Sequence, residues 1–151
     1  MSRLIRALSL RQPWAALVVH GVKSVEIRSW PTQLRGLILI HASRQSDHRS
    51  EGWELVPVEA QATATLHGGL IGGVELADCL TYPDVESFAG DQPRHRNRPN
   101  WFKPPTLYGF LFRRPRLLPF RPLPGQVRFF GVRVSAGEWK RLRDADKRRR
   151  R

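Results

Sequence analysis

The apolar positions of this chain change their spacing several times, and each change marks an element. Leu4–Leu10 reads as a short strand or an extended lead-in. From Gln12 the spacing becomes helical: Trp14, Leu17 and Val18 recur at i, i+3 and i+4, which predicts a helix over Gln12–His20 with Pro13 in its first turn and Gly21 as its stop. Ser24–Arg28 alternates, with Val25 and Ile27 on one side and Ser24, Glu26 and Arg28 on the other, the signature of a half-buried strand. Pro31–Gly36 reads as a loop and Leu37–Ala42 as an inner strand. Asp47–Val56 reads as a surface helix with Ser46 as its cap. The glycines of Gly68–Gly73 lead into Val74–Cys79 and predict a bulge or a sharp bend. Pro83–Pro105 has no period and is long for a loop in a compact domain. Leu107–Phe112 and Arg116–Phe120 read as strands, confined by Pro119, Pro122 and Pro124 to an edge or a bend. Gln126–Val134 is the last strand, and Glu138–Asp146 a short helix before a run of basic residues.

Short strands punctuated by glycine and proline, with few helices, predict an α+β protein built on a small β-barrel decorated with short helices. The length of 151 residues and a hydrophobic content of 40% suit one domain over residues 1–136 followed by a basic helix or tail over 137–151. The apolar runs are too short to cross a bilayer, so no membrane partner is expected. No signal-like segment follows Met1, and the single cysteine, Cys79, pairs with nothing within the chain. A reducing, cytoplasmic setting is the expectation. His20 and His41 have no partner at metal-ligand spacing, so neither a metal site nor a cofactor is expected.

Charge sharpens this picture. Residues 1–90 hold 8 Lys/Arg against 9 Asp/Glu, a net −1, whereas residues 91–151 hold 18 against 4, a net +14. Arginine dominates, and its flat fork of donors matches phosphate and stacks on bases. A field of this sign draws polyanions, of which nucleic acid is the commonest; the plainer reading is solubility in an arginine-rich proteome. The loop Arg94–Lys103 mixes Arg94, Arg96, Arg98 and Lys103 with Trp101 and Phe102, a composition suited to single-stranded nucleic acid. Phe102, by contrast, fits an anchor that pins the loop, and Trp53 and Trp139 fit packing on helix faces.

One constellation holds chemistry. Gln12-Pro13-Trp14 opens the first helix, and Gly21-Val22-Lys23-Ser24-Val25-Glu26-Ile27-Arg28 runs from its end into the next strand. Glu26 and Arg28 share a strand face and Lys23 precedes them, so an ammonium, a carboxylate and a guanidinium gather in one helix–turn–strand unit. Such a group can hydrogen-bond a base edge or a phosphate, or it can be a salt-bridge network that fixes the turn. Trp30 sits where it would wall such a cleft.

These segments, with Gly36–Ala42, Gly72–Cys79, Gly109–Phe112 and Phe129–Val132, resemble the ASCH domain family over roughly residues 5–135. The resemblance implies a PUA-like barrel and kinship with RNA-binding PUA domains, and eukaryotic members occur in a transcription coactivator. It implies a cleft lined by Gly21, Lys23, Glu26 and Arg28, with Gln12 and Trp14 from the helix motif. One branch of the family comprises acetylcytidine amidohydrolases that use a lysine, a threonine three residues on and a distant glutamate. Lys23 matches the lysine, but Glu26 stands at the threonine position and offers no hydroxyl nucleophile. Another member is described as a metal-dependent ribonuclease. In an enzyme, Lys23 and Glu26 are the candidate catalytic residues, and a divalent metal would enter only with nuclease chemistry.

The expectation is therefore a protein that binds RNA or single-stranded nucleic acid, with duplex DNA as a further candidate. Its binding residues would be Gln12, Trp14, Gly21, Lys23, Glu26, Arg28, Trp30, Arg94, Arg96, Arg98, Trp101 and Lys103. The rival readings are a hydrolase acting on RNA or a modified nucleoside, and a coregulator module that binds a protein partner.

Overall fold

The structure, a computed structural model, describes residues 2–149. Six strands form one mixed sheet in the order β2-β5-β4-β3-β1-β6. They are β1 (Arg3–Leu10), β2 (Val25–Arg28), β3 (Gly36–Ala42), β4 (Gly69–Tyr82), β5 (Leu107–Pro122) and β6 (Phe129–Val134). β1 and β3 are parallel and every other pair is antiparallel. Short helices fill the connections: α1 (Trp14–Val19), α2 (Ser50–Trp53), α3 (Gln61–Ala64), α4 (Val85–Gly90) and α5 (Gln92–His95). Single 3-10 turns lie at Val58–Ala60 and Pro99–Trp101, and α6 (Ala136–Arg149) closes the described chain. No described helix is long and apolar enough to cross a membrane.

The α+β barrel-like architecture is present without a closing ladder. β2 and β6, at opposite ends of the sheet order, are joined by side chains instead. The Arg28 guanidinium donates to the Ser9 carbonyl on β1 at 3.0 Å. Trp30, just past β2, meets Phe110 of β5 and Phe129 of β6 edge-on at 5.1 and 5.6 Å, and those two phenylalanines stack at 5.9 Å. The interior is the apolar cluster these rings complete: Leu8, Leu10, Ile38, Ile40, Ile71 and Phe110 are all buried there, with α1 plugging one side through Ala15, Val18 and Val19. Gly72 is required where α1 meets the sheet, since a Cβ would lie 2.2 Å from the Arg116 carbonyl oxygen and 2.8 Å from Val19. The outer face carries a second cluster, Ala7, Leu39, Leu118, Phe130 and Val134, which α6 covers with Leu142 and Trp139. A capping box starts α6: the Ser135 hydroxyl accepts from the Glu138 amide and the Glu138 carboxylate accepts from the Ser135 amide.

Several expected boundaries move. The glycine-rich stretch and the strand after it are one strand, β4, whose ladder with β5 shifts register three times, as its glycines suggested. β5 likewise runs unbroken through Pro115 and Pro119. It tolerates them because four-residue β2 pairs only with Tyr108–Leu111, which leaves the rest of β5 an edge. The helix expected over Asp47–Val56 shrinks to α2. Asp47 lies outside it, tied to α1, and the Ser46 hydroxyl meets His67 rather than capping a helix. Pro83–Pro105 is not a structureless loop. α4, α5 and a 3-10 turn fold it around Tyr82, Phe88, Phe102 and His95. The buried His95 ring stacks on Phe88 at 4.2 Å and donates from Nε2 to the Phe88 carbonyl.

Candidate nucleic-acid interface

A cleft of about 720 Å³ opens where the C-terminal ends of β1 and β3 meet β2, α1 and the Pro99–Trp101 turn. Local folding delivers Lys23 to it. α1 ends with the amides of Val22 and Lys23 both donating to the Leu17 carbonyl, and Gly21 makes the turn at φ +77°, a conformation costly for any other residue type. β2 then sets Glu26 and Arg28 on one side. The Glu26 carboxylate lies 2.9 Å from Arg28 and 3.7 Å from the Lys23 ammonium.

Lys23 is only 1% exposed. Its ammonium donates to the His95 carbonyl and lies 4.9 Å from the centre of the Trp14 ring. Burial pulls its pKa down to about 8, against the opposing pull of Glu26. The His95 ring is kept neutral by burial; its Nδ1 accepts from the Asn97 amide, which leaves the proton on Nε2. The same docking brings α5 onto β2, with the Ser24 amide donating to the Arg94 carbonyl.

The adjoining wall is aromatic. Trp14 donates from Nε1 to Asp47 at 2.8 Å, and Asp47 holds Arg49 through three contacts of 2.7–3.1 Å. Burial alone would push the Asp47 carboxyl up, but the hydrogen bonds from Arg49 and Trp14 outweigh it and hold the group far below the usual carboxylate range. Arg49 in turn lies 3.6 Å over the Trp101 ring, and Trp101 meets Trp14 edge-on at 6.1 Å. Two indoles in contact and the guanidinium over Trp101 thus stand together along one wall. Trp30 lines the far side with Arg128 over its ring at 4.8 Å, beside Gln126 and the exposed Val127.

The structure brings Trp14, Lys23, Glu26, Arg28, Trp30, Trp101 and Lys103 to this cleft. It does not bring the rest of the expected set there. Gln12 lies fully buried beneath the cleft: its amide donates to the carbonyls of Thr63 and Leu66 and accepts from the Ala16 amide, which satisfies it internally. Gly21 shapes the turn from outside. Arg94 is held by Asp91 at 2.6 Å, Arg96 reaches the Val22 carbonyl, and Arg98 faces Glu51 at 3.4 Å. Those three arginines were expected from composition, which does not show where a guanidinium finds its acceptor. Arg11, Asp47 and Arg49 were missed; only the spacing of Asp47 and Arg49, two apart beside a predicted helix start, hints at the pair. No cluster of three or more metal-ligating side chains occurs among the described residues.

The ASCH domain family model matches residues 8–117. The human protein named activating signal cointegrator 1 is 38% identical over 106 residues, a match covering 57% of this chain and 17% of that protein. Its mouse counterpart is 38% identical over 98 residues, covering 52% and 16%. The chain therefore spans about a sixth of the length of these relatives. Among solved structures, the ASCH protein of Zymomonas mobilis superposes with a TM-score of 0.56 at 20% identity, covering 92% of this chain and 93% of that one. A mutant of it gives 0.60 at 19% identity, covering 94% and 98%. The likeness extends through the whole barrel-like fold.

Proposed function

The chain belongs to the ASCH domain family, and from that premise we propose that it binds RNA, or another single-stranded nucleic acid, with a nucleotide held in the cleft between Trp14, Trp101 and the Lys23–Glu26–Arg28 group. One observation carries this reading: a stacked guanidinium and two indoles face a cleft that also holds Arg11, Lys23, Arg28 and Lys103 against only Glu26 and Asp47. Unstacked bases lie on aromatic and guanidinium planes, and the phosphates between them are met by cations. Glu26, already shared between Lys23 and Arg28, is placed to accept from a base amino group.

The test is binding of labelled single-stranded RNA, single-stranded DNA and duplex DNA over a salt series. Each phosphate contact on a single strand contributes a slope of about −0.7 in log K against log salt. A slope of about −3 or steeper is expected, and a flat response would remove phosphate contact from the account. Trp101→Ala is expected to weaken single-strand binding by about tenfold, since one stacked base is worth about 1–3 kcal/mol. Equal affinity for the variant would mean that Trp101 serves only to hold Arg49.

A hydrolytic reading rests on Lys23, whose ammonium sits beside Glu26 with a pKa brought down to about 8, close to where a lysine acts as a base. The same gels test it: shortened RNA that disappears with Lys23→Met would establish catalysis.

A further inference from the structure

We propose that the nucleic-acid site continues beyond the cleft as a phosphate track that crosses the Gly21 turn and the β5 bulge and ends beneath α6. The proposal rests on the reading of the cleft given above. Its basis is the succession of three neighbouring depressions. Across the Gly21 turn from the cleft, with the buried Lys23 between them, lies a groove of about 570 Å³ walled by His20, Ser24, Arg113, Arg114 and Pro115. That groove contains no carboxylate. It shares Arg114 with a hollow of about 230 Å³ formed by Arg116, Trp139 and Arg143 around Leu37 and Glu75.

The backbone supports the assignment. Between Gly73 and Glu75 the β4 ladder passes from Arg116 to Arg113, so β5 holds one extra residue there. Arg114 sits in that bulge at φ +52°. A left-handed non-glycine residue persists where the surroundings enforce it, and a bulge re-aims the side chain it carries. Here it places one arginine where the groove and the hollow meet. Arg114 faces Glu75 at 3.3 Å, a half-exposed contact that a phosphate can replace.

The dimensions distinguish the track from the cleft. Ser43, one residue past β3, and Leu37, near the start of β3, border the cleft and the hollow and lie about 20 Å apart at the rise of an extended strand. A single strand with its bases unstacked reaches further per nucleotide than the duplex rise of about 3.4 Å, so fewer than about six nucleotides cover that distance. A trinucleotide, with two steps between its phosphates, is too short to join the cleft to the hollow, and a dodecanucleotide reports on both.

The experiment measures affinities of 3- and 12-nucleotide single-stranded RNAs for the full chain and two variants. Arg113→Gln/Arg114→Gln is expected to weaken the 12-mer by about tenfold, to lower the magnitude of its salt slope by about 1.4, and to leave the 3-mer within twofold. Glu75→Gln, which removes the competing carboxylate, is expected to strengthen the 12-mer by a few-fold, a gain that misfolding does not produce. A 12-mer whose affinity and slope are the same in all three proteins would overturn the track and leave the cleft standing. If neither RNA binds at low salt, the reading of the cleft fails and the track with it.

Discussion

Lys23→Met is expected to weaken single-stranded RNA binding by about 30-fold or more while the protein remains folded. The ammonium is buried between the His95 carbonyl, Glu26 and the face of Trp14, and it borders the cleft. Removing one member of a desolvated charge group costs about 2–5 kcal/mol in binding, and 2 kcal/mol is already about 30-fold. Stability follows a different course. Methionine removes the burial penalty carried by the ammonium, Glu26 keeps Arg28 as its partner at 2.9 Å so no carboxylate is left unpaired, and the His95 carbonyl left without its donor costs about 1–3 kcal/mol. The variant should unfold within about 2 kcal/mol of the parent. Alanine is the poorer test, because Lys23 is among the largest fully buried side chains and its truncation leaves a cavity.

The same lysine sets a pH dependence whose sign is fixed. Its native pKa lies at about 8, below the ordinary 10.5, chiefly because burial disfavours the charge. Between those two values the unfolded chain holds a proton that the native chain has lost, so stability rises with pH across that window, by about 3 kcal/mol at most. Below pH 8 the full penalty of the buried charge is present. RNA affinity should move the opposite way, falling as pH climbs through about 8. Urea midpoints and binding isotherms collected from pH 7 to 10 read both trends, and Lys23→Met should flatten both. Parallel trends, or a parent protein as flat as the variant, would mean that Lys23 does not change charge there.

Gln12→Ala should do the reverse: about 3 kcal/mol of stability lost, or about 10 °C in Tm, with affinity per folded molecule unchanged within threefold. Its fully buried side chain holds the half-buried carbonyls of Thr63 and Leu66 and the buried first-turn amide of Ala16. Each buried group left unmet costs about 1–3 kcal/mol. Gln12→Glu should also destabilise, since a carboxylate cannot donate to two carbonyls. A stable alanine variant that had lost RNA would instead return Gln12 to the binding surface.

The contrast between these two residues shows what the sequence could reveal. Period and punctuation located β1, α1, β2 and β3, because each is a local pattern with one buried side. The Lys23–Glu26–Arg28 group was also legible, since strand alternation alone puts Glu26 and Arg28 together. The buried state of Gln12 and Lys23 was not, because their partners, Thr63, Leu66 and His95, lie 51 to 72 residues away. The Asp47–Arg49–Trp101 wall was hidden for the same reason. Pro83–Pro105 misled because its order comes from the buried His95 and Phe88 rather than from any repeat in its own residues.

The unclosed sheet has a consequence for how copies of this chain meet one another. Beyond Leu111, β5 has no ladder partner on its β2 side among the described residues, and the half-exposed Leu117 and Phe120 lie along that stretch. A bare strand edge invites a second molecule to add its own strand and so to seed aggregation. Here Pro115, Pro119 and Pro122 withhold the amides such a neighbour would need, and the exposed Arg113 adds a charge that a like copy meets. The residues that interrupt the strand pattern are thus the ones that guard its open edge against a second strand.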